Sequence, residues 1–256
     1  MDKIGNRNIK ENRIGFYRKV EIKSYRRDDF MKNEKVEESV EKRLYSCTDC
    51  GVLNCAKRDS KYPNFCLTEN LEAEELKEVL ELYTENRTNR KVAIAAAEVE
   101  GAFYGKYTRI DEIIEFAKRI GAKKIGIATC MGLIEESKIF AKILHLNGFE
   151  VYSAICKVGS INKTDIGVEE EYTQVTGNVA CNPIMQAKLL NKQKTDLNVV
   201  VGLCVGHDSL FYKYANGLST TLITKDRVLA HNPVGALYQA KAYYKRLLQE
   251  PIRDQE

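Results

Sequence analysis

The chain has 256 residues, 44% apolar and 30% charged, with a formal net charge of +4. This suits one large domain, or one domain plus a small module, with apolar residues enough for a real core. No apolar run reaches about 18 residues and no apolar leader follows Met1, so neither a membrane span nor export is expected.

Eight cysteines in a chain expected in the reducing cytoplasm read as metal ligands or reactive thiols, not as a disulfide framework. Residues 1–43 form a charged amino-terminal extension. Its first 27 residues hold nine Lys or Arg against three acids. Such an arm can attract nucleic acid or an acidic partner. The aromatics of those 27 residues are only Phe16, Tyr17 and Tyr25, however, and a solvated extension is the preferred reading. From Asn33 onward, Val36, Val40 and Leu44 give a thin stripe on a polar helix.

Residues 44–70 form a different module, with cysteines at 47, 50, 55 and 66. The spacing is C-x2-C-x4-C-x10-C. Two thiolates separated by two residues can grip one metal, because a turn points both sulfurs inward, and Gly51 suits that turn. Cys47, Cys50, Cys55 and Cys66 together would complete a tetrahedral zinc site or hold an iron–sulfur cluster. Zinc ribbons usually carry two C-x2-C pairs and this segment carries one, so both metals stay open.

Residues 71–256 read as an α/β domain. Leu71 to Tyr83 has helical periodicity, and residues 87–90 read as a linker. Val92–Ala97 is the first expected strand, with Glu98 at its carboxyl end. A helix follows to about residue 119, broken near 105–108, where Thr108 can cap its second half. Lys124–Thr129 is the second strand, and a helix over 134–147 is closed by Gly148. Glu150–Ile155 is the third strand. A long polar loop covers 157–179, and Asn182-Pro183 opens the next helix.

Residues 198–203 are apolar and β-branched, which suits a strand buried on both faces. Gly206 permits a turn, and Asp208 or Ser209 can cap the helix behind it. Thr220–Thr224 is the fifth strand, followed by Lys225, and a last helix is expected over 234–249. Alternating strands and helices imply parallel pairing. The fold class is therefore a Rossmann-like three-layer α/β sandwich of about five strands, preceded by the Cys-rich module. No phosphate-cradling glycine motif supports nucleotide binding.

Cys130, Cys156 and Cys204 each stand just beyond an expected strand, and Cys181 stands just before a helix. In a parallel sheet these positions share the ligand-binding edge. Helix amino termini there favour thiolates. Cys130, Cys156, Cys181 and Cys204 thus form a candidate cofactor-binding set. Cys204, His207, Asp208, Cys130, Cys181 and Glu98 form a candidate catalytic set, with Cys204 as attacking thiolate or cluster ligand and His207 as base.

The chain resembles an uncharacterised prokaryotic family, found largely in archaea and anaerobic bacteria and described only as metal-binding. The motifs that carry the resemblance are Cys47-x2-Cys50-x4-Cys55, Lys124-Ile-Gly-Ile-Ala, Cys181-Asn-Pro-Ile, Asp196-Leu-Asn, Gly202-Leu-Cys-Val-Gly-His-Asp208 and Lys225-Asp-Arg-Val-Leu-Ala-His-Asn-Pro233. They span about residues 45–240. The resemblance implies metal binding by the amino-terminal cysteines and supplies no reaction.

The leading expectation is a cytoplasmic metalloprotein doing redox or sulfur-transfer chemistry on a small-molecule ligand. The alternatives are a non-catalytic sensor or ligand-binding module with structural zinc, and a cysteine-nucleophile hydrolase using Glu98 or Asp208 as acid.

Overall fold

The computed structural model describes residues 44–250. The charged extension and the polar helix expected from Asn33 lie outside the described residues, Leu44 apart. The chain divides into two compact units, residues 1–70 and 71–256.

In the first unit, residues 44–70 contain no strand. Cys47–Asp49 is a single 3-10 turn, opened by the Ser46 amide, which donates to Asp49 Oδ2 at 2.9 Å. The Cys50 amide closes back onto the Cys47 carbonyl at 3.2 Å. Helix α1, Asn54–Lys57, is bounded by left-handed Leu53 and Arg58. Asn54 is buried, and its Oδ1 accepts from the Asp59 and Ser60 amides at 2.8 and 3.0 Å. Tyr45 stacks on Phe65 with centroids 5.5 Å apart.

The second unit opens with three helices: α2 (Ala73–Thr84), α3 (Arg87–Phe103) and α4 (Arg109–Arg119). Here the structure corrects the sequence reading. Val92–Ala97, expected as a strand, lies in the middle of α3, and residues 87–90 are its first turn rather than a linker. Four of those six residues are Ala, the strongest helix former. Asn86 caps the helix by accepting from the Thr88 and Asn89 amides at 3.0 Å each. The expected break is real: α3 ends at Phe103, and Thr108 and Asp111 cap α4 reciprocally.

The sheet therefore has four strands, not five: β1 (Lys124–Thr129), β2 (Glu150–Ile155), β3 (Leu197–Val201) and β4 (Leu218–Ile223). Their order is β2-β1-β3-β4 and every pairing is parallel. Helix α5 (Ile134–Leu146) joins β1 to β2, α6 (Pro183–Lys192) joins β2 to β3, and α7 (His207–Tyr214) joins β3 to β4. The expected last helix shrinks to α8 (Val234–Tyr238) and a 3-10 turn at Lys245–Leu248. Leu237, Tyr238 and Tyr243 there are exposed, so no packed face extends the helix.

Strand alternation builds the three layers. Ile125, Ile127, Leu197, Val199 and Val201 face α4 and α5, packing on Ile113, Ile114, Ala117, Phe140 and Leu144. Ala128, Ala154 and Val200 face α6 and α7, packing on Ala187, Leu190 and Phe211. This is a Rossmann-like sandwich. Among the described residues no helix is long and apolar enough to cross a membrane.

Two motif residues order the amino end of β3, and Asp196 ties it to β1. Asp196 Oδ2 accepts from the Lys123 and Lys124 amides at 2.7 and 2.9 Å. Asn198, fully buried, accepts from the Thr195 hydroxyl at 2.6 Å. Asn198 also sits where a Cβ on Gly126 would fall, 2.4 Å from its Oδ1. Chain direction reverses between β1 and β3, since β1 leads outward to β2 and the chain then returns to β3. That reversal is the switch point at which such sheets open a crevice beyond their carboxyl ends.

The exit from β3 is a steric necessity for glycine. Gly202 has φ +67°, and a Cβ there would lie 2.0 Å from Leu133 Cδ1. Gly202→Ala should lower unfolding free energy by about 1–3 kcal/mol, from overpacking and a left-handed alanine. Urea unfolding checks this. Unchanged stability would mean that the chain beyond β3 is not clamped against Leu133.

Candidate functional site

The carboxyl ends of β1, β2 and β3, three adjacent strands, each deliver a thiol to the crevice. Cys130 directly follows β1 and Cys156 directly follows β2, while Cys204 lies just past Gly202 at the end of β3. Cys181 immediately precedes Asn182, whose Oδ1 caps α6 by accepting from the Met185 amide at 3.0 Å. All four line one crevice of about 490 Å³, together with His207, Lys157, Lys163, Lys225 and Arg227. Among the described residues no carboxylate lines it.

Cys156 is the buried member and ties the loops together. Its amide donates to the Thr129 carbonyl at 2.9 Å, and its carbonyl accepts from the Asn182 amide at 2.7 Å. Its Sγ accepts from the Met131 amide at 3.3 Å. Gln186, fully buried on α6, donates from Nε2 to the Thr129 and Ala154 carbonyls at 3.1 and 2.7 Å. The ends of β1 and β2 are thereby fixed relative to α6.

Cys130, Cys156 and Cys181 perturb one another's protonation. Cys156 is held in its thiol form, its pKa raised first by Cys130, next by Cys181 and then by burial. Donation from Cys156 is the main cause that draws Cys130 well below the ordinary thiol range, helped by the Gly132 amide and the Lys225 charge. Cys181 is drawn down by Cys156 first and then by His207. His207 is raised in turn, chiefly by its bond to Cys181. One S–H serves one neighbour at a time, so Lys225 and His207 matter as standing supports.

Cys204 is tied differently. Its Sγ accepts from Arg227 Nη2 at 3.0 Å. Arg227 is presented by a turn closed by Asp226, whose Oδ1 accepts from the Val228 and Leu229 amides at 2.9 and 2.8 Å. His231 Nδ1 accepts from the Asp226 amide at 3.1 Å, which explains the spacing in the Lys225–Pro233 motif. Each outer thiol thus has its own cation: Lys225 for Cys130, His207 for Cys181 and Arg227 for Cys204.

Two expected catalytic carboxylates stand elsewhere. Glu98 lies on α3 and accepts from Arg119 Nη1 at 2.5 Å, because its supposed strand is helix. Asp208 is in the first turn of α7, accepts from the Ser209 amide at 2.8 Å, and does not line the crevice. Neither Asp208 nor Ser209 is the N-cap of α7; that position is Gly206, at φ +82°.

In the first unit, Cys47, Cys50, Cys55 and Cys66 line one small pocket of about 50 Å³. Among the described residues no three His, Cys, Asp or Glu side chains already stand in metal-holding geometry.

Sequence reasoning did not single out Lys157, Lys163, Arg227 or Gln186. Lys157 and Arg227 carried a usable signal, each being a cation within a few residues of a strand's carboxyl end. Gln186 carried none, since a helical Gln is ordinarily solvated.

Fold and site together define a Rossmann-like protein with a cation-rich, thiol-lined crevice at its switch point. Residues 66–222 match the model of a family described as a protein of unknown function (DUF1847), and the chain belongs to that family. A relative, the uncharacterized protein MJ0455 of Methanocaldococcus jannaschii, is 52% identical over 161 residues, covering 63% of this chain and 82% of that protein.

Two crystal structures of Dph2 from Pyrococcus horikoshii, one with a 4Fe–4S cluster, are 19% and 18% identical, each with a TM-score of 0.30. They align over 55% and 54% of this chain, which spans 33% and 32% of theirs. That similarity is too weak to carry an argument about this protein.

Cys156→Ala removes the shared thiol donor. The rate of iodoacetamide alkylation of Cys130 and Cys181, followed against pH by peptide mapping, should level off well below about 8.5 in the wild type, the free-thiol value. In the variant both inflections should move up towards it. Wild-type inflections already near 8.5 would show that the set does not stabilise the thiolates.

Proposed function

We propose that this is a thiol-centred metalloprotein with two separate cysteine sites. Cys47, Cys50, Cys55 and Cys66 hold a metal in the amino-terminal module. Cys130, Cys181 and Cys204, with Cys156 behind them, form the functional centre for redox or sulfur-transfer chemistry on a small molecule. One observation carries the reading: four thiols from the three loops that follow β1, β2 and β3 line one crevice with cations and, among the described residues, no carboxylate.

The donor sets fit a thiophilic metal. In the module, four soft thiols face one pocket with room for a single ion and little else to stabilise the fold. In the crevice, the same donor type is surrounded by positive charge, which suits the net negative charge of thiolate-bound iron–sulfur centres. When bound, zinc would supply structural stability and a cluster would supply one-electron transfer.

The chain's own residues do the rest. Cys156 keeps its proton and offers its S–H to a neighbouring thiolate. His207, drawn towards its cationic form beside Cys181, is placed to give a proton to a leaving group. The Arg227 guanidinium orients the Cys204 sulfur. The hydrolase reading loses ground, because Glu98 and Asp208 stand outside the crevice.

Anaerobically purified protein should contain zinc or iron, with broad absorption at roughly 400 nm if a cluster is present. Cys50→Ala with Cys55→Ala should lose the module's metal. Cys130→Ala with Cys181→Ala should lose any crevice metal and leave the module's intact. Metal content unaffected by either pair would refute the metalloprotein reading.

A further inference from the structure

The crevice holds more positive charge than its thiols use. Lys225 stands by Cys130, His207 by Cys181 and Arg227 by Cys204. Lys157 and Lys163 remain. Lys157 Nζ donates to the Val179 carbonyl at 2.5 Å, and Lys163 Nζ bonds the Thr176 hydroxyl. Both acceptors are neutral.

Neither lysine forms an ion pair with a carboxylate among the described residues. Lys157 lies near enough to Cys181 and His207 to feel their charge, but Cys181 already has His207 as its bonded cation. Two half-buried ammonium groups facing a cavity without a matching anion are costly unless a ligand supplies one.

Their placement is built rather than incidental. Both lie on the segment that runs from Cys156 to Cys181. That segment is pinned into a hairpin by the bridge between Asn162 and Val179. The Lys163 amide donates to the Asn178 carbonyl, and the Ala180 amide donates to the Ile161 carbonyl, each at 2.8 Å. The same segment contributes Ile166, Val168 and Tyr172 to the crevice lining. Positive charge and apolar surface therefore come from one segment of the crevice lining.

We propose that Lys157 and Lys163 form an anion subsite, and that the crevice ligand is a small organic anion. Its carboxylate or phosphate head would lie on the two lysines and its apolar body on Ile166, Val168 and Tyr172, within reach of the thiols. The subsite deepens the reading of the crevice as the functional centre and rests on it. Charge-assisted bonds to an oxyanion supply the head-group recognition, and Lys acts as a point charge compatible with either head.

Isothermal titration of the anaerobically purified full chain with inorganic phosphate, and separately with benzoate, tests this. Wild-type protein should bind at least one probe saturably, one per chain. Tighter binding of phosphate marks a phosphorylated ligand, and tighter binding of benzoate marks a carboxylic acid with an apolar body. Lys157→Gln with Lys163→Gln should weaken binding at least tenfold, with metal content and thermal midpoint unchanged, and Lys163→Arg should retain it. Binding equally tight in the double variant, or no saturable binding to wild type, overturns the subsite. Metal lost from the double variant overturns it too, since the lysines would then serve the thiol centre. Wild-type protein that lacks metal yet binds through the lysines refutes the metal assignment and leaves the subsite standing.

Discussion

Parallel pairing imposes the constraint on which everything at the crevice depends. With β2, β1 and β3 side by side and pointing the same way, their carboxyl ends fall on one edge. Residues far apart in sequence, at 130, 156 and 204, are gathered there by the sheet. The reversal of chain direction between β1 and β3 keeps connecting helices from covering that edge. Asp196 and Gly126 hold the two strands close at the other end, and Gly202 lets the chain leave β3 past Leu133.

The second constraint is electrostatic. Thiolates close together repel, and burial disfavours each of them. Two devices offset this. Cys156 remains protonated and donates, so one thiol of the set is spent on stabilising its neighbours. Lys225, His207 and Arg227 each stand against one outer thiol. The arrangement keeps sulfur nucleophilic and exposed on one side while its charge is balanced from the other. Such a set suits a thiophilic metal, an electrophilic sulfur or a disulfide.

Most of the edge was legible from residue types alone. Cys130 and Cys156 follow β-branched or apolar runs that could only be strands in this context, and Asn182-Pro183 announces a helix start. Val92–Ala97 misled, because a six-residue apolar run has no periodicity by which to tell a strand from a buried helix. Its alanines and the Asn86 cap decided for helix, and Glu98 left the site with it.

The pairing of cations with thiols was not legible, because Arg227 reaches Cys204 across 23 positions through a turn that Asp226 and His231 close. Lys163 lay in a loop whose hairpin depends on one isolated bridge, too weak a pattern to read.

The central claim is that Cys130, Cys156 and Cys181 form one contiguous set in the folded protein. A bifunctional thiol reagent such as dibromobimane tests it directly, since fluorescence needs both arms to react. Applied to reduced, chelator-treated, folded protein and mapped by peptide mass, it should bridge Cys130 or Cys181 to Cys156, or to each other. Labelling of those cysteines only singly, with no bridged peptide among them, would contradict the account.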